Sequence, residues 1–448
     1  MEKLKQKKEK ITNLKNENKK NDKPKTTDKK AKARRNNVKL YPIYKMFSWD
    51  NICFYSVEFL FYTITKKVSV SEILIINAFY ILFKILAQIP AVTIVDYFKY
   101  KKSMIIGNVI TIIYILTLIL APGAVGIIIA DFLCALGYAI KNVSETNLLY
   151  DSVSTRGGEG LYSKIDSKGT SWYYLLDAFM ALLSGYLFVK NNYLPMFICL
   201  GFTIVSTILS FNFIDIHKQK KNPTLKVKKY LKEYSKDLRK SSRYIMRSGR
   251  LRSYILFGSV FYAMFSLINI YKNDLLLSKG VGPQEYAIIY GLITLLASMS
   301  AGFSRIFHKK YRNRSLTVMS MSYVIACIII GVSAIAFNNL IALPIMIAMY
   351  GILRMNVATW HVLKQKYLKN FTTEKTRTKI SFTFELVAGI VASVFLLIGS
   401  ILVKIIQIEN AFIIVSLVLL VLVVLTLDYM RPRFGLKPRE YQKEDIDF

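Results

Sequence analysis

Ionisable side chains interrupt several long apolar stretches of this chain, and they are the residues best placed to do chemistry. They are Glu58, Lys84, Asp131, Lys141, Glu145, Asp177, Arg354, His361 and Glu385. A charge deep inside an apolar segment costs about 3 kcal/mol or more unless it is paired or reaches water. Each of these residues is therefore a candidate for carrying a proton, binding a polar ligand or closing an internal ion pair.

The carboxylates are the candidates for proton chemistry, because burial favours the neutral form of a carboxylic acid. Glu58 and Asp131 lie at similar depth in their segments, counted at about 1.5 Å per helical residue. Asp177 is a third candidate of the same kind. Lys84 is predicted to lie within reach of either Glu58 or Asp131, as a functional cation or as half of a structural ion pair.

Helical spacing predicts a charged stripe in the segment that carries Lys141 and Glu145. These two residues are four apart, so they can satisfy each other along one helix face. Asp131 is fourteen residues before Glu145 and falls near the same face. The segment is therefore expected to line a cavity, to hold an internal ion pair, or to do both.

A second charged set lies near the end of the chain. Arg354 and His361 are seven residues apart and share a helix face, and Glu385 enters the next segment at comparable depth. An Arg354–Glu385 pair would offset the cost of burying both charges. His361 could carry a proton near neutral pH or could simply be solvated.

Three polar residues, Tyr262, Ser266 and Asn269, recur at helical spacing in another apolar run. They could form a hydrogen-bonding wall for a ligand. The alternative is helix–helix packing through small and polar side chains.

These residues belong to about twelve apolar runs, each long enough to cross about 30 Å of hydrocarbon as a helix. The chain has 448 residues, of which 53% are hydrophobic, and a mean hydropathy of +0.34. Unpaired backbone groups are not tolerated in lipid, so the runs must be helical. The predicted spans are 46–64, 72–95, 103–121, 124–149, 171–190, 193–213, 253–273, 284–306, 315–336, 340–363, 380–402 and 409–428. We therefore predict an all-α, multi-pass membrane protein.

The net charge of +34 is placed unevenly and predicts the orientation of the chain. Alternate connections hold most of the Lys and Arg, which is typical of cytoplasmic segments. Both termini are accordingly expected in the cytoplasm of a cell whose plasma membrane holds the protein. Residues 1–40 contain no apolar core of a signal peptide.

Composition divides the chain into five parts. Residues 1–45 are lysine-rich and predicted to be disordered, with 46–213 as a first six-helix bundle. Residues 214–252 form a basic linker in which Tyr230, Tyr234 and other apolar residues recur at helical spacing, which predicts an amphipathic helix. Residues 253–428 form the second bundle and 429–448 a tail. The basic segments are expected to contact anionic lipids. The lysine-rich N-terminal tail carries no nucleic-acid-binding motif.

The two halves repeat their layout, and short motifs agree with a known family. The stretch "VTIVDYFKYKK" (92–102) resembles the Gly-x-x-x-Asp-Arg-x-Gly-Arg-Lys-Lys loop of the major facilitator superfamily, with Val92 and Lys99 at the glycine positions. A charged turn "HKKYRNRS" (308–315) occupies the same place in the second half. The segments "LLYDSVSTRGGEGLYSKIDSKGTSWYY" and "LKQKYLKNFTTEKTRTKIS" are similar to the connections of bacterial twelve-helix members.

This resemblance implies two pseudo-symmetric six-helix bundles and a cavity lined by the first, fourth, seventh and tenth helices. It also implies a cytoplasmic gate in which Asp96 faces the start of the helix near Thr378 and Ser381. A carboxylate is favoured at a helix N-terminus by about 0.3–1 kcal/mol. Lys101 and Lys102 are expected to anchor the turn at lipid phosphates or only to set topology.

We therefore expect a proton-coupled secondary active transporter of a small amphipathic solute, and we favour export of a drug or peptide. The alternative is a non-transporting membrane receptor or interaction protein on the same fold. The chain lacks the Gly-x-x-x-x-Gly-Lys-Ser/Thr loop, a metal-ligand pattern and a nucleophile–base set, so neither an enzyme nor a cofactor is predicted. The four cysteines are expected to be small core residues, and the protein to be a monomer.

Overall fold

The long apolar runs form helices, because a helix satisfies its backbone N–H and C=O groups within its own segment. The computed structural model describes residues 30–153, 158–216, 227–312, 314–372 and 374–434, and these parts of the chain contain no β-strand. The first half comprises α1 (30–48), α2 (Glu58–Leu60) with the π-helical turn Phe61–Thr65, α3 (Val70–Leu86), α4 (Gln88–Phe98), α5 (Tyr100–Leu120), α6 (Gly123–Val153), α7 (Gly158–Lys190) and α8 (Leu194–Ser210). The second comprises α9 (Val227–Arg247), α10 (Gly249–Ser278), α11 (Pro283–Tyr311), α12 (Arg314–Ala336), α13 (Asn339–Phe371), α14 (Glu374–Ile405) and α15 (Ile408–Phe434).

Nine helical segments of the described residues are long and apolar enough to cross a membrane, and α8 is a shorter apolar helix. The first of the nine, Val70–Phe98, combines α3 and α4. The predicted spans 284–306 and 46–64 are not among these segments. Span 284–306 lies in α11, and span 46–64 runs from the end of α1 through an interruption to α2 and the π-helical turn. The predicted all-α membrane fold is confirmed.

The first predicted span is not the continuous helix that its hydropathy suggested. The helical backbone stops at residue 48 and resumes at Glu58, with turns between, and Cys53 has a φ of 72°. The backbone N–H of Asn51 donates to Asp50 Oδ1 at 2.9 Å, and Asn51 Nδ2 donates to Tyr114 OH at 3.3 Å. Asp and Asn side chains compete with the helical hydrogen-bond ladder in this way, which explains the interruption.

The predicted boundary of the basic tail at residue 45 lies too far along the chain. Residues 30–48 form α1, and Tyr41 and Tyr44 are buried in a cluster with Met104, Leu148 and Phe213. The high lysine content of this segment led to a prediction of disorder, although Tyr41 and Tyr44 are apolar enough to be buried. Residues 1–29, where the rest of the tail was predicted, lie outside the described residues.

The helices assemble into two sets that meet along two seams. In the first set, α5 packs on α6 and α8, and α6 packs on α3 and α4. In the second, α10 packs on α14 and α15, and α13 packs on α11 and α12. The seams are α3 against α14 and α7 against α11. The duplicated layout also appears in the backbone, because Lys99 and Arg312, each between the second and third spans of its half, both have positive φ.

One face of the molecule is closed by direct contacts across these seams. It carries the start of α3 and the end of α14. We call it the opposite face, because it lies across the molecule from the face at which α1 begins. Ser71 Oγ donates to the carbonyl of Ser400 at 2.9 Å. Deeper in the same seam, Ser393 Oγ donates to the carbonyl of Ala78 at 3.0 Å. Small hydroxyl side chains thus allow α3 and α14 to approach closely.

The other face, called the tail face, is where α1 begins, α8 ends and α9 lies. Asn36 Nδ2 donates to the carbonyl of Asn212 at 2.9 Å. Helix α9 packs on α4 of the first set and on α10 and α14 of the second. Asp237 pairs with Lys379 at 2.8 Å, and the ring of Tyr234 meets that of Phe382 edge-on. The amphipathic helix expected from the spacing in 214–252 therefore bridges both sets.

Candidate functional site

A cavity of about 240 Å³ lies between the two sets of helices. Its walls come from the α2 segment and α3 on one side and from α10, α11, α12, α13 and α14 on the other. The predicted residues that line it are Glu58, Lys84, Tyr262, Asn269 and Arg354. The cavity is thus the place where sequence candidates from both halves meet.

Glu58 lies at the wall of the cavity, directly after the break in the first span. Tyr62, one helical turn later, donates its hydroxyl to Glu58 Oε1 at 3.2 Å. Asp131 on α6 lies behind this wall, 7% exposed, within electrostatic reach of Glu58 and Tyr62. Of the two carboxylates predicted to lie at similar depth, the structure therefore places Glu58 at the cavity surface and Asp131 in the packing behind it.

Three cations line the cavity: Lys84 on α3, Lys272 on α10 and Arg354 on α13. Lys272 Nζ donates to Asn269 Oδ1 at 2.9 Å and lies 6.0 Å from the ring centre of Tyr350. Lys84 Nζ lies 5.3 Å from the ring centre of Tyr80. Lys272 was not singled out from the sequence, because it stands at the end of its apolar run, where a lysine usually marks the interface.

Aromatic side chains make up a large part of the remaining wall. Eight tyrosines and two phenylalanines line the cavity, among them Tyr55, Tyr290 and Tyr350. Tyr262 and Ser266, predicted as part of a hydrogen-bonding wall, both line it as well, although Ser266 Oγ donates to the carbonyl of Tyr262 at 2.9 Å. Rings with polar edges suit a solute that is partly apolar.

A second cavity of about 180 Å³ lies within the first set of helices, toward the tail face. Lys84 and Tyr80 line both cavities, and Lys141 and Glu145 line the second. Lys141 Nζ donates to the carbonyl of Ser48 at 3.1 Å and lies 3.9 Å from the ring centre of Tyr138. The predicted Lys141–Glu145 pair does not form an ion pair within the described residues, because the carbonyl of Ser48 near the break holds the lysine.

Asp50 is a charged residue of this region that sequence reasoning missed. It stands at the break in the first span and lies within electrostatic reach of Lys84 and Lys141. The predicted partners of Lys84 were Glu58 and Asp131, whereas the acid that the structure brings toward it is Asp50. The signal available in the sequence was the Asp50–Asn51 dipeptide inside an apolar run.

Asp177 and His361 flank the central cavity without lining it. Asp177 on α7 lies within electrostatic reach of Arg354 and Asp50. The ring of His361 packs edge-on against Phe265, which lines the cavity, at 5.8 Å between centres. The structure therefore brings both predicted residues to the edge of the site.

The predicted Arg354–Glu385 pair does not form. Glu385 on α14 pairs instead with Lys364, one turn beyond His361 on α13. Arg354 lies on the cavity wall, farther from the tail face than Lys364 on the same helix. The prediction placed Arg354 and Glu385 at one depth, but Lys364 is nearer to the end of α13 at which α14 begins.

The predicted gate residues Asp96, Lys101 and Lys102 lie where α4 ends and α5 begins. The backbone N–H of Lys101 donates to Asp215 Oδ1 at 3.1 Å, so Asp215 occupies the N-terminus of α5. Burial raises the pKa of Asp215, against the opposing effects of this hydrogen bond and of the charges on Lys99 and Lys101. The contact of Asp96 with the start of α14 stays a prediction.

The described residues contain no group of three or more His, Cys, Asp or Glu side chains that could hold a metal ion. All four cysteines, Cys53, Cys134, Cys199 and Cys327, are free and buried.

Comparison with known proteins gives a family match and a fold match. The sequence model described as Major Facilitator Superfamily matches residues 46–369. A comparison with curated proteins found no match in sequence.

Solved structures of similar shape are transporters. The nucleoside transporter NupG has a TM-score of 0.66 at 12% identity, with 88% of this chain and 99% of that chain covered. A POT family transporter in complex with 5-aminolevulinic acid has a TM-score of 0.68 at 12% identity, covering 89% and 96%. The peptide transporter POT in complex with sulfate has a TM-score of 0.66 at 14% identity, covering 90% and 95%. These similarities show the fold.

Proposed function

This chain belongs to the major facilitator superfamily, and on that premise we propose that it is a secondary active transporter that works by alternating access and is coupled to protons. The observation that carries the proposal is the polar cavity between two sets of helices that close on each other at one face. A rocking motion about the two seams would open this face and close the other.

Glu58 is proposed as the main proton-coupling residue. It is the one carboxylate among the described lining residues, and no ion pair within the described residues ties it to a cation. Asp131 behind it and Asp177 at the edge are proposed as second and third proton sites. Around Glu58 stand Tyr62, which donates to it, and Asp50, which lies within electrostatic reach.

The solute is proposed to be small and amphipathic. The aromatic wall and the polar groups Asn269 and Lys272 support this class, and the volume of about 240 Å³ limits its size. The nucleoside transporter NupG and the peptide transporter POT, which share this fold, are consistent with a small organic solute. Export of a drug or peptide is the direction that we propose.

The protein is proposed to lie in the plasma membrane as a monomer, with its tail face in the cytoplasm. The basic residues of the α9 segment and of the turn with Lys101 and Lys102 would then meet anionic lipids, at about 1 kcal/mol per basic residue near the surface. This orientation puts the contacts of Ser71 with Ser400 at the outer side.

Proton coupling is tested in proteoliposomes that hold a pH-sensitive dye and are challenged with dipeptides and amphipathic aromatic compounds. We expect at least one compound to move protons across the membrane. Glu58→Gln should abolish this proton movement, down to the level of protein-free vesicles, because the amide cannot carry a proton. Asp131→Asn should weaken it.

The matched control is Glu72→Gln at the start of α3, where Glu72 accepts hydrogen bonds from Ser69 outside the cavity. This variant should behave as wild type. If Glu58→Gln and Asp131→Asn both retain wild-type proton movement, the coupling assignment is wrong. If no compound moves protons with the wild-type protein, the alternative of a non-transporting receptor on this fold gains support.

A further inference from the structure

The cations of the central cavity are poorly neutralised by the protein itself. Within the described residues, Lys84, Lys272 and Arg354 have no ion-pair partner, and Glu58 is the one carboxylate among the lining residues. A charged group removed from water normally pairs with an opposite charge or with a ligand. The cavity therefore has an excess of positive charge that something else can neutralise.

Two of these cations lie beside each other. Lys272 on α10 and Arg354 on α13 act on each other electrostatically and together line a void of about 10 Å³ next to the cavity. Within the described residues, the Lys272 ammonium donates a hydrogen bond to the neutral amide of Asn269. Two like charges at one wall repel each other, so an anion placed between them would relieve that repulsion.

The third cation stands on the other set of helices. Lys84 on α3 lines the same cavity, and it also lines the second cavity toward the tail face. Asp50 lies within electrostatic reach of Lys84, and Asp177 of Arg354, but no ion pair among the described residues joins either acid to its cation. An anion in the cavity can therefore interact with both sets of helices at once.

The rest of the wall suits an apolar body attached to that anion. Tyr55 on the first set and Tyr290 and Tyr350 on the second line the cavity near these cations. Tyr55 is 43% exposed although it lies in the middle of the molecule. Tyr290 is partly exposed and Tyr350 is buried, so the exposed ring is that of Tyr55. An exposed ring beside positive charges favours a planar apolar group that carries a negative charge.

From these observations we infer that the central cavity binds an organic acid, with its carboxylate at Lys272 and Arg354 and its aromatic or apolar body against the tyrosines. The inference rests on the proposed transport function and adds the substrate class to it.

The inference is tested by binding to the purified full-length protein in detergent, which requires no transport. Unfolding is followed with a thiol-reactive dye, because all four cysteines are buried. The probes are 4-hydroxyphenylacetate, 4-hydroxyphenylacetamide and tyramine, and the larger set indole-3-acetate, indole-3-acetamide and tryptamine. Each set keeps one ring and changes the charge from negative to neutral to positive.

We expect the carboxylate of at least one set to stabilise the protein most and the amine least, because a ligand that binds the folded state raises its stability. Arg354→Gln and Lys272→Gln should each weaken carboxylate binding by about tenfold or more, as loss of a charge-assisted hydrogen bond predicts. Arg354→Lys should recover part of it. Lys404→Gln, which removes a cation from the exposed end of α14, should bind as wild type.

Three outcomes would overturn the inference. They are stabilisation by amides or amines equal to that by carboxylates, no stabilisation by any of the six probes, and equal weakening by Lys404→Gln. The protein could bind the carboxylates in this assay and yet move no protons in the proteoliposome assay. That result would support the anion site and contradict the transport proposal. The two proposals can therefore be separated.

Discussion

Lys99 occupies a backbone conformation that suits glycine. Its φ of 68° and ψ of 175° fall in a region that residues with a Cβ rarely adopt, at a cost of about 1–3 kcal/mol. Position 99 is also the second glycine position of the loop that the sequence resembles. The residue closes α4 and opens α5, next to the N-terminus that Asp215 caps. The lysine is therefore retained at an energetic cost.

Lys99→Gly should raise the thermal unfolding midpoint of the purified protein. The strain of about 1–3 kcal/mol is relieved, and the greater freedom of glycine in the unfolded chain offsets about 0.5–1 kcal/mol of it. The control is Lys99→Ala, which removes the charge and keeps the Cβ. If alanine stabilises the protein as much as glycine does, the charge and not the backbone is the cause.

Residue-level features also mark the limits of prediction from sequence. Three of the four described charged residues that line the cavity were recognisable, because Glu58, Lys84 and Arg354 interrupt apolar runs, whereas Lys272 stands at the end of one. The ion-pair partners of these residues were not recognisable. Glu385 pairs with Lys364 and not with Arg354, because the relative depth of α13 and α14 brings Lys364 to it. Helical spacing within one segment contains no information on that depth.

At the scale of elements, each seam between the two sets of helices contains a closely packed glycine. A Cβ built on Gly185 of α7 would lie 2.7 Å from Ala287 Cβ and 2.7 Å from the carbonyl oxygen of Pro283 on α11. A Cβ on Gly389 of α14 would lie 2.5 Å from Ile85 Cδ1 on α3. Gly185 thus allows α7 and α11 to approach closely at the opposite face, whereas Gly389 lies deeper in the α3–α14 seam and meets the flexible end of an isoleucine.

Gly185→Leu should act as a wedge that separates α7 from α11 at the opposite face. We expect a cysteine in the cavity, introduced as Asn269→Cys, to react several-fold faster with a membrane-impermeant maleimide added at that face. Gly201→Leu on α8 is the matched control, because a Cβ there meets nothing within 4 Å. Equal reactivity in the two leucine variants would mean that this seam does not gate access.

Element positions were predicted well from hydropathy, and the exception is instructive. Long apolar runs must be helical in lipid, so the spans follow from composition. The break at residues 49–57 depends on hydrogen bonds from Asn51 to Asp50 and to Tyr114 of another helix. A hydropathy average over a local stretch of sequence cannot detect such an interaction between distant segments.

At the scale of the whole molecule, the charges around the central cavity come from both sets of helices. Lys84 comes from the first half and Lys272 and Arg354 from the second, and α9 ties both sets at the tail face. A solute or proton that changes the balance of these charges would bias the packing of one set against the other. Alternating access is the proposed consequence.

The most direct measurement is the accessibility of Asn269→Cys from each side of the membrane, in right-side-out and inverted vesicles. The native cysteines are buried, so the background is low. The account predicts labelling of this one residue by an impermeant maleimide from both faces, with Gly185→Leu shifting the balance to the opposite face. Labelling from a single face in both backgrounds would contradict it.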